Sequence, residues 1–323
     1  RVITVLPRQS EQSRDWLDGH EFCIQDKPLG TGHAVLAAAP NLAGFDGIAL
    51  IMFADTPLVT ADTLTRLASS IDTATSVAVL GFETADPRGY GRLVIEDNGQ
   101  LARIVEDKDA NKEEHSITLV NGGIMAVRCP LLFDLLNQVQ TNSKNGEIYL
   151  TDIIALASQN GQKVSYQLAD ESEIAGVNDR VDLAHLGAIL QRRLRHVAMQ
   201  QGATLIAPNT VFLSADTILG RDVIIEPHVV IGPNTSIGEG SIIKSFSHIE
   251  GATLGAYCVI GPYARLRPGT EAGDGVKIGN FVETKKSVIG AGSKANHLTY
   301  IGDSVIGTDV NVGAGSITCN YDG

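Results

Sequence analysis

From about Leu213 to Ile317 an aliphatic residue followed by a small or polar one recurs every six positions. Leu219-Gly220, Ile225-Glu226, Ile231-Gly232, Ile237-Gly238, Ile243-Lys244 and Ile249-Glu250 keep strict phase. A one-residue slip restarts the count at Leu254-Gly255, and Ile260-Gly261, Leu266-Arg267, Ala272-Gly273 and Ile278-Gly279 follow. The pattern returns at Ile289-Gly290, Ile301-Gly302, Ile306-Gly307 and Val312-Gly313. An α-helix repeats its apolar face every ~3.6 residues and a half-buried strand every ~2, so neither produces this spacing. A six-residue period predicts a parallel β-helix, in which each short strand buries one aliphatic knob inside a prism and a small residue turns the corner.

Upstream the texture changes. Apolar runs at 47–54, 76–82 and 163–168 predict buried strands, and helical patterns at 61–71, 130–140 and 149–160 alternate with them. That alternation predicts an α/β domain with a mostly parallel sheet. Arg92 to Glu96 and Gln100 to Val105 flank Asp97-Asn98-Gly99, a hairpin signal. From Val181 to Gln201 apolar residues fall at 183, 186, 190, 194 and 197, a helical stripe closed by Gly202. The chain thus divides into an α/β domain over 1–180, a linker helix over 181–202 and a β-helix over 203–323. Arg192, Arg193 and Arg195 on that helix read as a solvated face rather than a phosphate site.

Composition narrows the class. The 323 residues suffice for two cores, and no apolar run is long enough to span a bilayer. A net charge of −12 repels a phosphate backbone and argues against nucleic acid as a partner. Cys23, Cys129, Cys258 and Cys319 are far apart with no C-x-x-C pair, which fits reduced thiols in the cytoplasm. The chain opens at Arg1 with no apolar leader, which suggests a truncated piece of a longer protein.

Polar residues then mark chemistry. Asp55 follows an apolar strand and precedes Pro57, placing a carboxylate beyond a strand's carboxyl end, where open α/β sheets bind ligands. Taken alone, it reads equally well as a helix cap. Gln25 ends another strand, and Leu29-Gly30-Thr31-Gly32-His33 then opens a helix whose glycines admit close approach of a nucleotide. Gly89-Tyr90-Gly91-Arg92, Val105-Glu106-Asp107-Lys108, Val120-Asn121-Gly122-Gly123 and Gly176-Val177-Asn178-Asp179-Arg180 follow. Within the repeats, Arg265-Leu266-Arg267 and Glu283-Thr284-Lys285-Lys286 interrupt the hexapeptides, and a coil of three hexapeptides brings Arg267 and Lys285 onto one face. Stacked Arg and Lys make a phosphate site, the Arg able to grip in bidentate fashion. His297 falls near these cations, between a small residue and Tyr300.

These segments, in this order and followed by hexapeptide repeats, resemble the bifunctional N-acetylglucosamine-1-phosphate uridyltransferase/glucosamine-1-phosphate N-acetyltransferases of bacterial cell-wall precursor synthesis, over essentially the whole chain. The resemblance implies an α/β Rossmann-like nucleotidyltransferase domain followed by a left-handed parallel β-helix, assembled as a homotrimer. It implies that Gln25, Gly30 and Thr31 hold the uracil of UTP, and that Gly91, Glu106 and Asn121 hold N-acetylglucosamine 1-phosphate. Asp55 and Asn178 are the implied ligands of Mg²⁺, Asn178 also bordering the nucleotide sugar. In the repeats, Arg267, Lys285, Tyr300, Asn311 and Asn320 are implied to bind glucosamine 1-phosphate, and His297 to be the general base. Ala314, Asn320 and Tyr321 border the implied acetyl-CoA site.

The sequence departs from the family at Ala54 and Asn296, where glycine is usual. The glycine-rich start and final coils also lie outside it, so the piece itself is expected to be inactive in both reactions. Two other readings stay open at this point: a single-function sugar nucleotidyltransferase with a β-helix tail, and a non-catalytic hexapeptide trimerisation module.

Overall fold

A computed structural model describes residues 1–10, 17, 19–140 and 146–320. Two compact units emerge, Arg1–Leu186 and Gly187–Gly323. In the first, β1 (Ile3–Pro7) pairs in parallel with β2 (Glu21–Gln25), and α1 (Thr31–Ala37) follows. The main sheet contains β3 (Ile48–Ile51), β4 (Thr75–Glu83), β5 (Arg92–Ile95), β6 (Leu101–Val105), β7 (Leu119–Arg128) and β8 (Lys163–Leu168). Helices α2 (Ala61–Ser69), α3 (Cys129–Leu136), α4 (Asp152–Gln159) and α5 (Glu171–Ile174) surround it.

The sheet is mixed rather than mostly parallel. β7 lies antiparallel to β3, β4 and β5, and among the described residues of this sheet only β4 with β8 is a parallel pair. An apolar run carries no sign of its direction, nor does it guarantee burial: Ile48 and Leu50 of β3, expected in a buried strand, are exposed, as are Met52 and Phe53 beyond it. The β5–β6 hairpin is where the Asp97-Asn98-Gly99 signal placed it. Alternation along β4 sends Val77 and Val79 to a core with Leu132, Leu135, Ile153 and Ile154 of α3 and α4. Ala78, Leu80 and Phe82 point the other way, to Leu67 of α2 and Ile174 of α5. Both faces of the sheet are therefore covered at its central strand β4, the layering that leaves strand ends and loops free to carry a site.

Helix α6 (Arg180–Gln200) ends at Gly202 with φ 105°, as its position predicts. Within the second unit its last turns close the first coil. Gln191 Nε2 donates to the Leu213 carbonyl at 2.7 Å while Gln191 Oε1 accepts from the Leu213 amide at 3.0 Å, satisfying an exposed strand edge. Arg195 is buried and donates to the Val211 carbonyl, so it belongs neither to a solvated face nor to a phosphate site. Of the apolar stripe, Leu186 is buried but Leu183 and Val197 are exposed, so the face that turns inward, with Arg195 and Ala198, differs from the one the periodicity marked.

The repeats wind as a parallel β-helix. Phe212↔Val230, Ile218↔Ser236 and Ile224↔Ile242 set coils of eighteen residues, and Ser236↔Thr253 shortens the next to seventeen, at the slip seen in the sequence. The knobs stack in ladders such as Ile225, Ile243, Ile260 and Ile278, each essentially buried and worth roughly 1.5–3 kcal/mol by removal from water.

The corners differ from expectation. Apart from Gly261, at φ 94° directly after Ile260, the small residue after a knob is not the one that turns; a left-handed residue two or three positions beyond the knob does so. At one corner these residues are large, His228, Phe246, Tyr263, Phe281 and Leu298, with φ between 45° and 61°. A left-handed non-glycine residue costs about 1–2 kcal/mol, and stacking of adjacent rings at 4.9–5.3 Å offsets it at ~0.5–1.5 kcal/mol per pair. The small residue serves the stack instead. A Cβ on Gly279 would fall well inside contact with the Asn296 backbone of the next coil.

A paired substitution tests this. Gly279→Ala should destabilise the unit by roughly 1–3 kcal/mol, because backbone must move. Gly187→Ala on α6, where a Cβ meets nothing within 4 Å, should stabilise by about 0.5–1 kcal/mol. Thermal melts that showed equal effects would refute the stacking role of Gly279.

Candidate active sites

The turn after β2 is built by backbone stapling. Gly30 stands at φ 98° just before α1, and a Cβ there would sit 2.5 Å from the Ile148 carbonyl, so both its conformation and its contact demand glycine. The Gly32 amide donates to the Ile148 carbonyl at 2.9 Å, the Ile148 amide to that of Leu29 at 2.8 Å, and Thr31 Oγ1 accepts from the Leu150 amide at 3.0 Å. Gln25 joins the same turn: its Nε2 donates to the Gly30 carbonyl and lies 3.1 Å from His33 Nδ1. Gln25, Gly30 and Thr31 are thus brought together.

Gly91, Glu106 and Asn121 also converge. The Asn121 amide donates to the Gly91 carbonyl at 2.8 Å, and a Cβ on Gly91 would lie 3.6 Å from Asn121 Cβ and 3.7 Å from Glu106 Oε2. Glu106 Oε1 accepts from Thr151 at 3.0 Å, while Asn121 Oδ1 accepts from the Gly123 amide, leaving its Nδ2 to donate outward. Beside them, burial and the nearby Glu106 charge raise the Asp152 carboxyl above its ordinary range.

The loop carrying Gly91 is pinned from beneath. Asp107 accepts from the Gly89 amide at 3.0 Å and from buried Arg92 at 2.8 Å, and Arg92 also donates to the Tyr90 carbonyl. The Gly89 and Arg92 bonds lower the Asp107 pKa.

Asp55 lies beyond β3, exposed, and its backbone carbonyl accepts from the Val177 amide at 2.8 Å, which draws it next to the Asn178 segment. It is not the cap of α2: Thr60 is, with its hydroxyl accepting from the Thr63 amide. Among the described residues the Asp55 carboxylate has no hydrogen-bond partner. The Asn178 amide nitrogens, backbone and side chain, both donate to Asp182, lowering its pKa. With Nδ2 committed, Asn178 Oδ1 is left as an acceptor. One carboxylate and one carbonyl oxygen fit a hard divalent cation that keeps phosphate oxygens and waters as its other ligands. Among the described residues no cluster of three or more acids, histidines or cysteines offers an all-protein metal cage.

In the β-helix, Leu266↔Thr284 sets Arg267 beside Lys285, and Lys285 pairs in turn with Gly302. Arg267 Nη1 reaches Glu283 at 2.9 Å, leaving its remaining N–H groups and the Lys285 ammonium for an anion. Tyr300 pairs with Glu283 in register, and Asn320 Nδ2 donates to the Tyr300 hydroxyl at 3.3 Å and also to Asp303. At the adjoining corner His297 stacks over Asn280, with Nδ1 2.9 Å from Asn280 Oδ1, and Ala314 follows one coil later. Asn311 lies beyond that corner, beside Lys294 rather than Lys285. Tyr321 lies outside the described residues.

Sequence reasoning missed His33, Thr151, Asp182, Asn280 and Glu283. Asn280 had a legible signal, because it precedes His297 by seventeen residues, the length of the shortened coil. Thr151 had none, since its partner Glu106 is distant in the chain.

The fold and these sites define a nucleotidyltransferase unit followed by a hexapeptide-repeat transferase unit. Residues 5–176 match the nucleotidyl transferase family model, and residues 216–251 match that of the bacterial transferase hexapeptide (six repeats). The bifunctional protein GlmU of Maricaulis maris is 52% identical over the whole of this chain and 72% of its own length. That of Rhodospirillum rubrum is 53% identical, with coverages of 100% and 73%, and that of Rhodopseudomonas palustris 52%, with 94% and 67%. The chain belongs to the bifunctional GlmU family. It spans about seven tenths of the length of these relatives. A solved UDP-glucose pyrophosphorylase complexed with UDP-glucose covers 51% of the chain at 18% identity and TM-score 0.42, too slight a likeness to bear on the sites.

Proposed function

We propose that the intact protein makes UDP-N-acetylglucosamine in two steps: acetyl transfer from acetyl-CoA to glucosamine 1-phosphate on the β-helix, then uridyl transfer from UTP to N-acetylglucosamine 1-phosphate on the α/β unit. The observation that supports it most is that successive coils carry Arg267, Lys285, Tyr300 and Asn320, with His297 over Asn280 at the adjoining corner. A structural solenoid has no use for that set.

In the first step the cations hold the sugar phosphate. The amine nitrogen attacks the thioester carbonyl, an N–C bond forms and the C–S bond breaks, the amine proton passes to His297 and coenzyme A leaves as its thiolate. In the second step Gln25 and the Gly30-Thr31 turn orient the uracil, while Gly91, Glu106 and Asn121 place the sugar so that its phosphate oxygen attacks the α-phosphorus and pyrophosphate leaves. Asp55 and Asn178 would hold Mg²⁺, which when bound neutralises phosphate charge. Release of both pyrophosphate and coenzyme A by the intact protein tests the proposal; absence of either product overturns that half.

The free cysteines suit a reducing cytoplasm, and no described helix is long and apolar enough to cross a membrane. The flat faces of the prism suit packing around a threefold axis. A homotrimer is therefore the expected state of the intact protein, and light scattering that found a stable monomer at micromolar concentration would refute it.

A further inference from the structure

We propose that Asn280 is a positioning residue for acetyl transfer, holding His297 in the tautomer that carries its proton on Nδ1 and leaves the Nε2 lone pair to act. This rests on the reading of His297 as general base. Three observations carry it. The parallel register sets Asn280 directly under His297, and the amide oxygen lies 2.9 Å from Nδ1. A carbonyl oxygen only accepts, so the bond exists only if Nδ1 bears the hydrogen.

The second observation is the rigidity of the contact. Gly279 lets the Asn296 backbone settle onto the coil below, and Phe281 and Leu298 turn stacked corners in the left-handed region, at φ 55° and 45°. The ring and the amide are each one residue from such a corner, so neither backbone can slide to break the pair.

The third is the neutrality of the partner. Asn280 beneath the ring and Ala314 above it carry no charge; Lys277, Glu283, Lys285 and Lys294 are the charged groups on the same two strands. An amide oxygen orients the ring through a neutral hydrogen bond, whereas a carboxylate in its place would also bring a charge.

The test uses the intact protein labelled with ¹⁵N-histidine, the His297 signals being assigned by their loss in His297→Gln. Long-range ¹H–¹⁵N spectra above the titration range should show the proton on Nδ1, and a proton on Nε2 overturns the proposal. Asn280→Ala should lower kcat for acetyl transfer by about 10- to 100-fold, with KM for glucosamine 1-phosphate and the rate of uridyl transfer nearly unchanged. Asn280→Asp keeps the acceptor, so it should preserve the Nδ1–H tautomer and much of the activity while moving the acid limb of the kcat profile to higher pH.

If His297→Ala lowers kcat but Asn280→Ala does not, the positioning role fails and the base stands. If His297→Ala leaves kcat unchanged, the base reading fails and the positioning role with it.

Discussion

Replacing His297 by alanine in the intact protein should lower kcat for acetyl transfer by about two to four orders of magnitude, the usual worth of a general base. The apparent affinity for glucosamine 1-phosphate should barely move, because the base acts on a proton that shifts mainly in the transition state. Uridyl transfer, carried by a separate unit, should be untouched. Arg267→Ala provides the contrast. On the proposed reading it removes a phosphate contact present in ground and transition states alike, so KM should rise, and Glu283, which Arg267 engages at 2.9 Å, is left without that partner. Steady-state assays of coenzyme A release separate the two patterns. A normal kcat in His297→Ala would make the residue a structural member of its corner, with the base to be sought elsewhere.

Asp55→Asn should nearly abolish pyrophosphate release while leaving acetyl transfer close to normal. If Asp55 holds the cation as proposed, losing one of two protein oxygens removes several kcal/mol of transition-state stabilisation, and each ~1.4 kcal/mol is tenfold in rate. Stability should stay within about 0.5 kcal/mol of the parent protein, since the carboxylate is exposed and Thr60, not Asp55, caps α2. A loss of activity accompanied by a large drop in melting temperature would argue for a structural role, and retention of pyrophosphate release would remove Asp55 from the metal site.

Local rules carried a large part of the fold. The six-residue recurrence of Ile and Leu determined the β-helix because a prism of three short strands is the arrangement that buries one side chain in six, and the slip before Leu254 marked the coil that shortens. The Asp97-Asn98-Gly99 turn, the helix closing at Gly202 and the strand ending at Gln25 were legible for the same reason: each rests on neighbours in the chain. The candidate residues themselves were named through family resemblance, and their chemistry is intelligible from residue type.

What remained belongs to contacts between distant segments. The antiparallel course of β7 is a choice among pairings that an apolar run leaves equal. Arg195 turned inward because a coil edge offered the Val211 carbonyl, and Asp55 was freed from the capping role because Thr60 occupied it. Glu106 and Asn121, fifteen residues apart, meet Gly91 only across the sheet. Asn280 reaches His297 because the coil between them closes in seventeen residues rather than eighteen, a difference of one residue that moves a different side chain under the ring. Sequence determined which residues can do chemistry and how often the chain turns; which of them face one another depended on register, and register is decided by packing over the whole stack.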